Sequence, residues 1–188
     1  MVKVGINGFG RIGRLILRAL LENYKGKIQV VGINDLGSIE TNAHLIKYDS
    51  THGILNQNVQ SISDGFKIGD QNIKVFAERD PSKLPWGKIG VDVVLECTGF
   101  FLDKTSAGKH IQAGAKKVII SAPAKEVDFT LVQGVNSKEL KKNHNIISNG
   151  SCTTNCLAPV AMVLEKTFGI TYGYMTTIHS YTGDQKLS

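Results

Sequence analysis

Apolar residues recur along this chain in two rhythms, and their alternation predicts the architecture. Val2, Val4 and Ile6 alternate with Lys3 and Gly5, the period of two expected of a strand. From Arg11 to Tyr24 the residues Ile12, Leu15, Ile16, Ala19 and Leu20 recur at helical spacing. Arg14, Arg18 and Glu22 fall on the opposite face, which predicts an amphipathic helix laid on a sheet. Ile28 to Ile33 is a second apolar strand, ending at Asn34-Asp35. Strand, helix and strand in such short compass make a βαβ unit, and its crossover imposes parallel pairing.

The rhythm changes between residues 54 and 78. Asp64-Gly65 and Gly69-Asp70 separate short β-prone pieces at Val59–Ser63, Phe66–Ile68 and Ile73–Phe76, predicting an antiparallel meander inserted into the fold. The parallel theme then resumes with a buried strand over Val91–Cys97, a helix over Lys104–Ala113 and a strand over Lys117–Ser121. Thr130–Val135 reads as a further strand, followed by a short helix near Ser137–Lys142 and an apolar lead, Ile146-Ile147-Ser148. Beyond it Leu157, Val160, Ala161, Leu164 and Phe168 keep helical spacing, with a kink expected at Pro159 and a stop at Gly169. Ile170–Tyr181 reads as a long strand. The expected class is α/β, a doubly wound, mostly parallel sheet, with a boundary near Asn149-Gly150 dividing residues 1–150 from 151–188.

Composition narrows the function. Hydrophobic residues at 41% and charged residues at 20% describe an ordinary globular protein. No apolar run approaches the roughly 20 residues that span a bilayer, and the N-terminus lacks the pattern of a signal peptide. Three cysteines are too few for a disulfide framework, so a cytoplasmic setting is expected and a membrane partner is not. The net charge of +6 is dispersed, with no aromatic-basic platform, and nucleic acid is not expected as a partner. Attraction of phosphorylated small molecules is the functional reading of that charge.

Two motifs carry chemistry. Gly8-Phe9-Gly10-Arg11-Ile12-Gly13 follows a predicted strand and opens a predicted helix, and Asp35 ends the second strand, which together match a Rossmann dinucleotide site. Gly8 permits the tight turn, Gly10 the approach of a pyrophosphate, and Gly13 close helix–strand packing. Arg11 and Ile12 present N–H groups at the helix N-terminus. Asp35 would accept hydrogen bonds from an adenosine ribose and repel a 2′-phosphate, favouring NAD over NADP. A glycine-rich turn without a ligand is the alternative.

The second motif is Ser151-Cys152-Thr153-Thr154-Asn155-Cys156, which sets a thiol where a helix begins, with His179 downstream. Unpaired N–H groups and the macrodipole favour a thiolate there. In the nucleophile reading His179 is base and ion-pair partner. A metal reading would take Cys152, Cys156 and His179 as ligands, at a spacing unlike known structural zinc sites. In the third reading the cysteines are small buried hydrophobes, which suits Cys97 and Cys156 better than Cys152. His44, His52, His110 and His144 have no evident partners and are assigned to surface or satisfied-core positions.

These residues, with Tyr48 to Gly53, Glu96-Cys97-Thr98-Gly99, Ser121-Ala122-Pro123, Ser151 to Pro159 and Thr176 to Gln185, resemble the glyceraldehyde-3-phosphate dehydrogenase family over the whole chain. The resemblance implies a Rossmann-type NAD domain followed by the beginning of an α+β catalytic domain. It implies Cys152 as nucleophile and His179 as its base, with Arg11, Ile12, Asp35, Arg79, Thr98, Gly99 and Ser121 lining the NAD site. Ser151, Thr153, Thr182 and Asp184 would meet substrate phosphate, inorganic phosphate or nearby hydroxyls. The implied reaction is NAD-dependent oxidation and phosphorylation of glyceraldehyde 3-phosphate to 1,3-bisphosphoglycerate through a cysteine thioester, in a homotetramer. Erythrose-4-phosphate or aspartate-semialdehyde dehydrogenases on the same architecture, and a truncated inactive NAD-binding module, are the alternatives. Family members run nearly twice as far as this chain, so it is expected to be part of a longer protein.

Overall fold

Strand β1 (Val2–Asn7) lies at the point where the chain order of a nine-stranded sheet reverses. The computed structural model describes residues 1–182. After β1 come α1 (Arg11–Asn23), β2 (Ile28–Asn34), α2 (Ile39–Lys47) and a small hairpin, β3 (Tyr48–Asp49) with β4 (Gly53–Ile54). Then follow β5 (Val59–Ile62), β6 (Gly65–Ile68), β7 (Gln71–Phe76), β8 (Val93–Glu96), α3 (Lys104–Ala107) and α4 (Lys109–Gln112). The described elements end with β9 (Lys117–Ile120), β10 (Phe129–Thr130), β11 (Ile146–Ser148) and α5 (Cys152–Phe168).

The sheet order is β10-β11-β9-β8-β1-β2-β7-β6-β5. All neighbours from β10 to β7 pair in parallel, in register such as Ile6 with Ile33 and Leu95. The expected doubly wound α/β class therefore holds. Parallel pairing brings every strand's C-terminal end to one edge, where ligands bind in open sheets of this kind. The predicted meander is present as the antiparallel pairs β5–β6 and β6–β7, but β7 also pairs in parallel with β2 and so belongs to the main sheet.

Among the described residues the core falls into three clusters. Ile6, Leu17, Ile33, Ile46, Phe66 and Ile73 are fully enclosed together, and Trp86 with Val94 anchors a second cluster. Helix α1 buries Gly13, Leu17, Arg18 and Leu21, so its inner face is turned from the stripe read off the sequence; Ile12 and Ala19 are exposed. The Leu-rich run offers several apolar faces, and packing against the sheet selects one. Arg18, expected on the solvent face, is buried with its guanidinium donating to the carbonyls of Ile46, Lys47 and Gly53. Its planar fork supplies donors to the Ile46 and Lys47 carbonyls at the end of α2 and to Gly53 O in the hairpin.

Four predicted elements differ. The helix over Lys104–Ala113 is broken at Gly108 into α3 and α4. The strand over Thr130–Val135 shrinks to β10, because Asn136 takes the Val132 N–H and donates to Thr130 O, folding the segment into a turn. The helix near Ser137–Lys142 is one 3₁₀ turn at Ser137–Glu139. Residues 170–182 form no strand; they are exposed and carry no regular secondary structure. Helix α2, capped by Ser38, has no counterpart in the sequence reading. Among the described residues no helix is long and apolar enough to cross a membrane.

Candidate active site

The glycine-rich turn joins β1 to α1 at the sheet's C-terminal edge, and each glycine has a distinct surrounding. Gly8 has φ +89°, and a Cβ there would stand 2.8 Å from Thr98 N. A Cβ on Gly13 would lie 2.2 Å from Gly8 O, so only glycine allows the helix this close to the turn. At Gly10 a Cβ would meet nothing within 4 Å: its face is open. Gly10 caps α1 without a side-chain hydrogen bond, so no side chain occupies the helix's first N–H groups. That arrangement suits a phosphate. Asp35 Oδ2 accepts the Phe9 N–H at 2.8 Å and Oδ1 the Gly37 N–H at 2.8 Å, fixing the carboxylate beside the turn.

Gly8, Gly10 and Asp35 line a cleft of about 510 Å³ that also includes Arg79, Thr98 and Cys97. The volume, the open glycine, the uncapped helix and the anchored acid fit a dinucleotide. Of the other expected cofactor residues, Gly13 packs behind the turn, and Gly99 has φ +76° with open space before it. Ser121 is half-buried at the end of β9, its N–H donating to Glu96 O. Ile12 is exposed at the start of α1 and does not line the cleft. Arg11 is tied to Asp49, whose carboxyl is held far below the usual range by the His52 N–H first, then the Thr51 N–H and Arg11.

The cleft is larger than the sequence reading allowed. Leu36, Glu78, Phe100 and Phe101 also line it. Glu78 follows β7, and its place becomes legible only once β7 is known to run parallel to β2. His110, assigned no partner from the sequence, is fully buried against Glu96, Trp86 and Asn7.

The thiol site lies at the same edge of the sheet, where β11 leads through Gly150 into α5. Ser151 caps α5, its hydroxyl accepting the Thr154 N–H at 2.8 Å, and Cys152 is the first helical residue. Cys152 Sγ stands 3.1 Å from His179 Nε2. His179 Nδ1 is 2.7 Å from Ser180 O, a carbonyl that can only accept, so Nδ1 carries a proton and Nε2 faces the sulfur. The His179 hydrogen bond is the first cause lowering the Cys152 pKa, with the Thr153 N–H adding to it.

Thr153 lies in the first turn of α5 and Thr182 in the extended segment; Asp184 lies outside the described residues. Cys156, expected as a buried apolar residue, is exposed instead, because α5 buries no residue against the rest of the chain. Cys97 is half-buried, and burial pushes its thiol up to about 12. Among the described residues no three His, Cys, Asp or Glu side chains are grouped to hold a metal ion.

Residues 2–104 match the profile described as "Glyceraldehyde 3-phosphate dehydrogenase, NAD binding domain". Residues 151–188 match "Glyceraldehyde 3-phosphate dehydrogenase, C-terminal domain". The chain is 57% identical over 187 residues to glyceraldehyde-3-phosphate dehydrogenase of Geobacillus stearothermophilus, covering 99% of this chain and 55% of that protein. It is 56% identical over 187 residues to glyceraldehyde-3-phosphate dehydrogenase 1 of Bacillus subtilis, covering 99% and 55%. With the Pseudomonas aeruginosa glyceraldehyde-3-phosphate dehydrogenase it shares 54% over 188 residues, covering 100% and 56%. The chain thus spans about half the length of the curated relatives it matches. With an NAD-binding profile laid over the cleft and its glycine turn, the chain belongs to the glyceraldehyde 3-phosphate dehydrogenase family.

Proposed function

We propose that this chain carries the coenzyme domain, residues 1–150, and the start of the catalytic domain, residues 151–188, of a phosphorylating glyceraldehyde-3-phosphate dehydrogenase. The observation that carries the reading is the Cys152 Sγ to His179 Nε2 approach of 3.1 Å, at the sheet edge that also holds the dinucleotide cleft. Gly8, Gly10, Arg11, Ile12, Gly13, Asp35, Arg79, Thr98, Gly99 and Ser121 hold NAD, and Asp35 disfavours a 2′-phosphate.

His179 Nε2 takes the Cys152 proton, and its own Nδ1–H stays on Ser180 O. The thiolate attacks the aldehyde carbon of glyceraldehyde 3-phosphate, forming a carbon–sulfur bond while the carbonyl electron pair moves to oxygen. The Cys152 N–H and the His179 imidazolium stabilise that oxygen. The coenzyme, when bound, supplies the two-electron acceptor that converts the adduct on Cys152 to a thioester. An inorganic phosphate oxygen then attacks the thioester carbon and Cys152 leaves as thiolate, giving 1,3-bisphosphoglycerate. Ser151, Thr153, Thr182 and Asp184 are assigned to the phosphates and hydroxyls. The assembled protein is read as a cytoplasmic homotetramer.

Turnover of three aldehydes, with and without phosphate, separates this reading from the erythrose-4-phosphate and aspartate-semialdehyde alternatives. Cys152→Ala is expected to abolish turnover while leaving NAD binding intact. Full activity in that variant would overturn the scheme, and NAD binding without any burst of NADH in the unsubstituted chain would favour an inactive module.

A further inference from the structure

Beneath the cleft lies a hydrogen-bond network whose proton order follows from groups that can only donate. Glu96, His110 and Trp86 are fully enclosed, and Asn7 is nearly so. The obligate donors are the backbone N–H groups of Glu78, Thr98 and Phe100 and the Trp86 indole N–H. The Glu78 N–H donates to Asn34 Oδ1 at 2.8 Å, so the Asn34 amide nitrogen faces Asn7 Oδ1 at 2.7 Å. The Asn7 amide nitrogen then donates to Glu96 Oε2 at 2.6 Å. From the other side the Trp86 indole donates to His110 Nδ1 at 3.0 Å, which must therefore be bare. The ring proton sits on Nε2, 2.9 Å from the same Glu96 oxygen. The Thr98 N–H reaches Glu96 Oε1 at 2.8 Å; the Thr98 hydroxyl, accepting the Phe100 N–H, gives its proton to Oε1 as well.

Four donors, from Asn7, His110 and the Thr98 N–H and hydroxyl, end on Glu96 and favour its ionised form. A second proton on His110 would confront the indole N–H. The network holds one whole negative charge, sealed from water and met by neutral donors. Among the described residues its one ion-pair contact is the His110 ring itself. A fold keeps so costly a group only with complete hydrogen bonding, as here.

We infer that Glu96 makes the coenzyme site discriminate by charge, its buried carboxylate favouring the oxidised, cationic nicotinamide over the neutral, reduced one. The inference rests on the NAD reading of the cleft. Asp35, on the β2 side of β1, takes the adenosine end. Thr98 lies on the β8 side, towards β9 and β11 and hence towards Cys152, where the nicotinamide must work. Glu96 ends β8 under that half. In a low-dielectric interior a charge acts across strand spacings with a strength that water would remove. The reduced coenzyme is then held less tightly than the oxidised one, easing product release.

The test is calorimetric titration of the full chain with NAD and with NADH. Glu96→Gln keeps the size and one acceptor oxygen but removes the charge. Its NAD dissociation constant is expected to rise about tenfold more than its NADH constant. Equal weakening of both, or no change, would overturn the charge role. Where Glu96→Gln does not fold, the unsubstituted chain answers: its NADH dissociation constant is expected to exceed its NAD constant about tenfold, and NADH binding as tightly as NAD would overturn the inference. Binding of neither nucleotide by the unsubstituted chain would remove the coenzyme reading, and the inference with it.

Discussion

Helices α1 and α5 carry the same kind of apolar periodicity and meet opposite fates. Helix α1 lies against the sheet and encloses Leu17 completely, with Leu21 nearly so. Helix α5 encloses nothing: Leu157, Val160, Leu164 and Phe168 stand exposed, Phe168 at 80%. Periodicity encodes a helix and an apolar stripe; it does not name the surface that will cover it. For α1 that surface is the neighbouring sheet, while for α5 it is not among the described residues. What holds α5 is local: the Ser151 cap and the Asn155 side chain, which donates to Asn149 O and Ser151 O. Cys152 thus sits on the region with least tertiary support, and the cleft at the glycine turn on the region with most.

The contrast can be tested most strongly through the cysteines. Cys97, in the packed region, has its thiol raised by burial; Cys152, on α5, has its thiol lowered chiefly by His179. Iodoacetamide at neutral pH should modify Cys152 faster than Cys97 by about a hundredfold or more, read by peptide mass spectrometry. His179→Asn should shift the Cys152 alkylation profile to higher pH, so that less thiolate is present near neutrality and the rate falls. Comparable rates at the two cysteines would break the contrast.

Core truncation gives the next largest effect. Leu17→Ala should lower unfolding free energy by about 2–5 kcal/mol in urea titration. Leu164→Ala should cost less than about 0.5 kcal/mol, since that side chain is 45% exposed. An equal loss at both positions would mean that α5 is covered in solution. Ser151→Ala removes the cap and should cost about 0.5–2 kcal/mol. Because little else supports α5, the loss should appear as hydrogen exchange confined to residues 152–168.

The smallest effect expected is a pH slope, and it belongs to the packed region. Asp128 is lowered to about 2 by the Lys104 hydrogen bond first and then the Ile146 N–H. Asp103 is lowered by the Ser106 hydroxyl and N–H, and Asp92 by Lys116 and the Lys3 N–H. Folded values below the unfolded value near 3.9 give stability that is complete above that value and lost as pH falls through the folded ones. Thermal melts should therefore drop between about pH 4 and pH 2, with α5 contributing nothing to the slope.

Legibility followed the range of the determining interactions. The glycine turn, Asp35 and the capped thiol were readable because each depends on neighbours within a few residues, and such chemistry is written in short words. The alternation over β1, α1 and β2 implied a crossover, and with it parallel pairing, for the same reason. The segment after Thr130 misled because its β-prone composition competes with Asn136, whose side chain ties it into a turn. The run after Ile170 misled because alternation alone does not build a strand without a sheet edge to pair with.

The sequence by itself determined most of the helices and strands, the glycine turn and the placement of Cys152 at a helix start, since local sterics and unpaired backbone groups suffice for these. Only the tertiary structure decided that α1 buries Leu17 and Arg18, that β7 joins the parallel sheet, and that His110, Trp86, Asn7 and Glu96 meet in one enclosed network. Those outcomes depend on groups up to about a hundred residues apart, Asn7 and His110 among them, which sequence spacing cannot bring together but close packing and the need to satisfy buried polar atoms can.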